Sequence, residues 1–442
     1  MVKTSRFDLG QGAALAATSV KILVAGAASA LLGCNAPEPP PSTGGTDVVE
    51  GPCGRGAVVV SSDYQSTDVG LMSWEGAVLS ASIVSSGSIA PGLSSPLSGD
   101  VVTPTTPARG DRLLLIDRAA SVLTWVDVRS GEARAQLAVA TTFRANPQDY
   151  AEVSPGKAYV TRHEPNLDPD AAPIDGGSDV LVVDPGARAI VGRVDLAPAL
   201  AGEDPAIYPR PSRAVLVDGS LYVLLTATSL DFGASAESRL VEIDTQGDVI
   251  KDVTVLDGLH GCGGLAASAS GSRLAVVCPG TFGGDSTSNA AEAGLVVLAR
   301  RDGGGLVEEA RWTPAELGAG TPGFSVAFAS EDHLLLTTLG RDALSEGGPV
   351  DDTLLAVDLP GSGPARGEPE VLLRSKELPF VLGEVRCADA CERCLIADAE
   401  TDGGVVHRFD VGAGEDRRAL VHAGAFQVDP RIGLPPRYLG GF

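Results

Sequence analysis

The chain is expected to fold as an all-β, seven-bladed β-propeller of four-stranded blades, its ring closed by a C-terminal strand that completes the first blade. A short run of Val, Leu and Ile recurs seven times, and six of the seven stop at an acid before a Gly-bearing turn: Glu75, Asp127, Asp184, Asp244, Ala299, Asp358 and Asp410 mark the ends. Successive markers lie 52 to 60 residues apart, the scale of a repeat built from strands. Each unit also divides into short β-branched and Leu-rich runs separated by Gly, Asp and Ser, which read as strands rather than helices.

The start of the chain reads as an export signal. Lys3, Arg6 and Lys21 make the start positive, and residues 22–33 are apolar but too short to span a bilayer. The segment ends Leu31-Leu32-Gly33-Cys34, which resembles the lipobox of bacterial lipoproteins, so residues 1–33 are expected to be removed and Cys34 lipidated. Stable anchoring takes more than one acyl chain. Residues 34–54, with Pro39-Pro40-Pro41 and then Gly44-Gly45, cannot bury a core and read as a tether. Residues 55–442 form the propeller domain.

Unit one supplies only three strand-like runs, 57–62, 70–74 and 78–84. Its missing strand is expected from Pro435-Pro436-Arg437-Tyr438-Leu439-Gly440-Gly441-Phe442, which resembles the Pro211-Ser212-Arg213-Ala214-Val215-Leu216 that opens unit four. That pairing would leave no exposed sheet edge at the ring seam. Second strands follow at 112–116, 157–161, 273–277, 333–337 and 394–397. Unit four shows the pattern in full, at 212–217, 221–227, 239–244 and 249–256. The recurrent acid is expected to hydrogen-bond the backbone of the turn that follows it.

Tyr159-Val160-Thr161, with Arg162 where Asn is usual, resembles the YVTN-type β-propeller repeat of bacterial surface proteins, a lactonase- and quinoprotein-like architecture. Val180-Leu181-Val182-Val183-Asp184 is similar to the same pattern. The resemblance implies a blade and an envelope location, periplasmic or surface-exposed at the outer membrane. It implies no particular chemistry.

Six cysteines remain besides Cys34. Cys262 and Cys278 flank the Ser270-Gly271 turn symmetrically, and Cys387 and Cys394 flank another hairpin. Cys53 and Cys391 would then join the first blade to the last. Six cysteines allow fifteen pairings, and the Cys387/Cys391/Cys394 cluster lacks a fourth ligand at zinc spacing, so disulfides are the expectation.

The balance of 33 Lys and Arg against 57 Asp and Glu, a net charge of −24, excludes a nucleic-acid surface and leaves the lipid as the sole membrane link. A site would lie where the loops between second and third strands meet the segments leading into the blades. His163, Asp149, Arg213, His260, Glu384 and Arg437 are the candidate ligand residues there. The loops also carry Glu164, Asp168, Asp170, Asp231, Asp285, Asp342, Asp351 and Asp352, acids suited to Ca²⁺ as a cofactor. No catalytic signature stands out. The expected function is a monomeric, lipid-anchored binding or scaffold module with an uncharged-to-acidic rim, facing an envelope protein or glycan. The alternative is a secreted lactone hydrolase or lyase, with a metal or with His163 or His260 as a base partnered by Glu384.

Overall fold

The computed structural model describes residues 53–442 apart from 283–288, 302, 342–349, 361–367, 377–378, 389–390, 401–402 and 413–419. The signal segment, Cys34 and the tether up to residue 52 lie outside the described residues, as do Asp285 and Asp342.

The strands form seven four-stranded antiparallel sheets arranged as a ring of blades. In blades 2 to 7 the chain runs in sequence order from the innermost strand outwards. The inner strands are Val101–Val102, Pro147–Ser154, Pro211–Val217, Gly264–Ala267, Thr321–Ser330 and Leu382–Ala388. Blade 1 is the exception: its inner strand is Pro436–Gly441, which pairs antiparallel with Ala57–Ser62 and sets Leu439 opposite Val59. Blade 4 comprises Pro211–Val217, Ser220–Leu225, Arg239–Asp244 and Val249–Val255, within two residues of the ranges read from the sequence. In blade 1 the third strand is Thr67–Met72, so Trp74 falls in the following turn rather than in the strand.

Each blade is a sheet sandwiched between two others, so its middle strands must be apolar on both faces. In Leu295, Val297 and Trp312 of blade 5 one face packs against Val326, Leu334 and Leu336 of blade 6. In Leu274, Val276, Val296 and Leu298 the other packs against Val215, Tyr222 and Leu240 of blade 4. The outer strands meet solvent and lose the pattern: Val249–Val255 is half exposed. Each large aliphatic side chain fully buried in this way contributes roughly 1.5–3 kcal/mol.

Three of the six marker acids cap turns, whereas Glu75, Asp358 and Asp410 meet the side chains of Arg393, His333 and Arg408. Asp127 Oδ1 accepts from the Ser130 amide, Asp184 Oδ1 from the Ala187 amide and Asp244 Oδ2 from the Gly247 amide, each at 2.8 Å. The three disulfides are Cys53–Cys391, Cys262–Cys278 and Cys387–Cys394, with Cα separations of 5.2, 3.8 and 4.0 Å. The first crosses the seam between blades 7 and 1. Such bonds belong to oxidising compartments.

One buried acid opposes folding at neutral pH. Asp68, 5 % exposed in blade 1, has its carboxyl pushed up to about 6, chiefly by burial. Ser82 Oγ donates to it at 2.5 Å, and Asp429 lies close enough to add repulsion. Between the ordinary carboxylate range and pH 6 the folded state holds a proton that the unfolded state has lost. Stability contributed by this group therefore falls as pH rises through that window. Asp68→Asn is expected to stabilise the protein at pH 7 by ~1–2 kcal/mol and to have little effect at pH 4, as read by urea unfolding at the two pH values.

Candidate functional site

The channel mouth carries a cavity of about 560 Å³, within the usual range for a small-molecule site. Its walls come from two kinds of segment. Gln148, Ser212, Arg213, Gly261 to Gly263, Phe324 and Tyr438 lie at or just before inner strands; Arg118, His163, Thr226, Phe232 and Phe282 lie at or near the links between second and third strands. A second lobe of about 310 Å³ shares Arg213, Phe324 and Tyr438 and adds Tyr64, Phe380, Glu384 and Arg437.

The rim is aromatic. Tyr64, Phe232, Phe282, Phe324 and Phe380 are 40–58 % exposed, and they are all the exposed Phe, Tyr and Trp residues among the described residues. All five line the mouth. Tyr64, Phe232 and Phe380 also have φ of 65°, 58° and 60°, a left-handed backbone that bulky residues rarely adopt. Such a backbone costs on the order of 1–3 kcal/mol per residue and concentrates at ligand sites. The run Gly261-Cys262-Gly263-Gly264 makes room for one rim member: a Cβ on Gly263 would stand 2.6 Å from the Phe324 ring.

The charge of the mouth is the reverse of the chain's. Glu384 Oε1 is shared by Arg213 at 3.3 Å and Arg386 at 2.8 Å, while Oε2 accepts from the Leu439 amide. Arg118 pairs with Asp100 and donates to the Tyr438 hydroxyl at 2.8 Å. Arg437 donates to the carbonyls of Phe380 and Ser62 and lies 5.3 Å from the Tyr64 ring centre, with no carboxylate partner among the described residues. Four arginines thus face Asp100, Asp149 and Glu384. Among the described residues the rim expected to be neutral to acidic carries a cationic excess, and described loop acids turn to backbone amides. Asp168 accepts from the Asp170 amide, Asp231 from Gly233, and Asp352 from Gly340, Val381 and Leu382.

The six candidate residues separate. His163, Arg213, Glu384 and Arg437 line the two lobes. Asp149 lies beneath them, 0 % exposed, and its carboxylate accepts from the Thr105 amide and hydroxyl and the Ala214 amide, joining blades 2, 3 and 4. His260 Nδ1 is 2.7 Å from the Ser235 hydroxyl, away from the lining. His163 contacts Glu164 and Arg210 and stacks on Phe232. Burial holds its pKa down, aided by the Arg210 charge, so the ring is neutral at pH 7. Burial raises the Glu164 carboxyl, but the His163 hydrogen bond and Arg210 outweigh it and hold it at about 2. The drawn base pair of His163 or His260 with Glu384 does not form: Glu384 is held by two arginines and an amide. Among the described residues no group of three or more His, Cys, Asp or Glu side chains is placed to hold a metal ion.

The sequence reading missed Arg118, Arg386, Tyr438 and the aromatic rim. Arg213 and Arg437 were among the candidates; the signal for the rim was that four of only ten Phe fall on loops and inner strands of one face.

No family model matches the chain, and no curated protein matches it. Solved structures do. A 6-phosphogluconolactonase candidate from Bacteroides fragilis aligns with a TM-score of 0.53 at 12 % identity, covering 87 % of this chain and 96 % of its own. A second, from Bacteroides uniformis, gives 0.52 at 12 % identity, covering 87 % and 98 %. At such identity the likeness is one of fold.

Proposed function

We propose that the protein is a lipid-anchored envelope module that binds an apolar, preferably aromatic, molecule carrying a carboxylate or similar anion at the channel mouth. The observation that carries this reading is the convergence of every exposed aromatic side chain among the described residues around one cavity with excess arginine charge. Rings in the rim cover the apolar body of the ligand. Arg213, which shares its carboxylate with Arg386, turns towards the anion. The backbone strain at Tyr64, Phe232 and Phe380 fits a surface shaped for contact rather than for stability. The Cys34 lipid and its tether would keep the domain at the envelope, within reach of a free ligand or of the tip of an envelope glycan or protein.

The aromatic anion 8-anilinonaphthalene-1-sulfonate tests the site. The native protein is expected to bind it saturably, one per chain, with enhanced fluorescence. Arg213→Ala should weaken binding ~10-fold or more, the worth of a charge-assisted hydrogen bond. Phe324→Ala, which removes a wall of both lobes, should weaken it by a similar factor. Binding that is non-saturable, or unchanged in both variants, would reject the reading.

A further inference from the structure

Away from the mouth, blade 7 brings three side chains into a line across its sheet. Asp398 ends the second strand, Arg393–Asp398; His407 lies in the third, Val405–Val411; His422 lies in the outer strand, Leu420–Phe426. His407 Nε2 is 3.0 Å from Asp398 Oδ2, and His407 Nδ1 is 3.1 Å from His422 Nε2. The other Asp398 oxygen accepts from the Glu400 amide at 2.8 Å, which fixes the carboxylate. The chain has five histidines, and two of them meet here.

This arrangement sets the tautomer. A carboxylate oxygen accepts, so the neutral form of His407 places its proton on Nε2 and turns the Nδ1 lone pair towards His422. His422 is exposed, its ring tilted against those of His407 and Phe409.

We propose that His407 Nδ1 and His422 Nε2 form a two-nitrogen site for a late first-row divalent cation, copper(II) before zinc(II), with Asp398 as the positioning residue for His407. Two nitrogens 3.1 Å apart, each about 2.0–2.1 Å from one ion, subtend about 100° at the metal, between square-planar and tetrahedral angles. A histidine ligand whose far nitrogen donates to a carboxylate is the usual supporting arrangement in metal sites. Imidazole favours copper and zinc over the oxygen-seeking calcium and magnesium, and copper(II) leads the divalent series. Water completes the coordination on the exposed side of His422.

The test is titration of the full chain with copper(II) sulfate at neutral pH, read by electron paramagnetic resonance and visible absorption. One ion per chain should bind with two imidazole nitrogens in its spectrum. His422→Ala should remove that species, and so should His422→Gln, which keeps a hydrogen-bonding group beside His407 but offers no imidazole. Asp398→Asn should retain the species with roughly 10–100-fold weaker affinity. Unchanged melting of the metal-free His422 variants shows that the fold persists. A two-nitrogen signal that survives in both His422 variants, or its absence from the unaltered protein, would overturn the proposal and leave a plain hydrogen-bonded pair.

Discussion

Deletion of residues 436–442 is expected to abolish cooperative folding, or to lower the melting temperature by ~10 °C or more. The segment is the inner strand of blade 1, and without it the backbone of Ala57–Ser62, buried at all six residues, becomes an open sheet edge. Leu439 is 0 % exposed and Phe442 8 %, and losing their burial alone costs on the order of 3–6 kcal/mol. Polar partners go with them. The Leu439 amide leaves Glu384, its carbonyl leaves Arg386 and Thr103, and the Tyr438 hydroxyl leaves Arg118. A domain is stable by only ~5–15 kcal/mol, so the total is a large share. The Cys53–Cys391 disulfide keeps the seam connected but supplies no sheet. Circular dichroism melting of the truncated chain checks this; a loss of only a few degrees would mean that the ring does not depend on its closing strand.

Arg162→Met should destabilise the protein by ~3–5 kcal/mol. The guanidinium is 0 % exposed and fully engaged. Nε and one terminal nitrogen donate to the two oxygens of Asp179, both at 2.8 Å, and the other terminal nitrogen donates to Asp175 at 2.8 Å. The carbonyls of Val139 and Ile174 accept at 3.1 and 2.9 Å. Met matches much of the volume but leaves Asp179, itself 0 % exposed, with Arg193 at 3.4 Å as its remaining cationic partner. Burial raises the Asp175 carboxyl, yet the Thr141 hydrogen bonds and Arg162 outweigh it and keep the group below the usual carboxylate range. That stabilisation is present above the ordinary carboxylate pKa and is lost as pH falls through the lower folded value. The cost of the substitution should therefore be larger at pH 7 than in strong acid. Urea unfolding should show a lower midpoint with an unchanged slope; equal midpoints would show that the network adds nothing.

Arg162 also shows how far the sequence could be read. The apolar run around Tyr159 and Val160 placed the strand, but nothing local announced that Arg162 would be buried with two carboxylate partners. The fold was legible because burial on both faces of each blade demands unbroken apolar runs, and because the Asp-capped turns recur at fixed places, as at Asp127, Asp184 and Asp244. The disulfides were legible because hairpin symmetry sets Cys387 opposite Cys394 in register. The site was less so. Glu384 and Asp149 look alike as acids at blade openings, but one faces the cavity and the other sits sealed beneath it, a difference made by contacts 44 to 171 residues apart in the chain. The aromatic rim assembles from residues 64 to 380, with no local pattern to announce it.

The proposed ligand of the mouth is an apolar anion. A crystal structure of the protein with bound 8-anilinonaphthalene-1-sulfonate tests it most directly. The naphthalene is predicted to lie against Phe324 between the two lobes, with the sulfonate within hydrogen-bond distance of Arg213. A ligand seated elsewhere, with the mouth holding only water, would contradict the account.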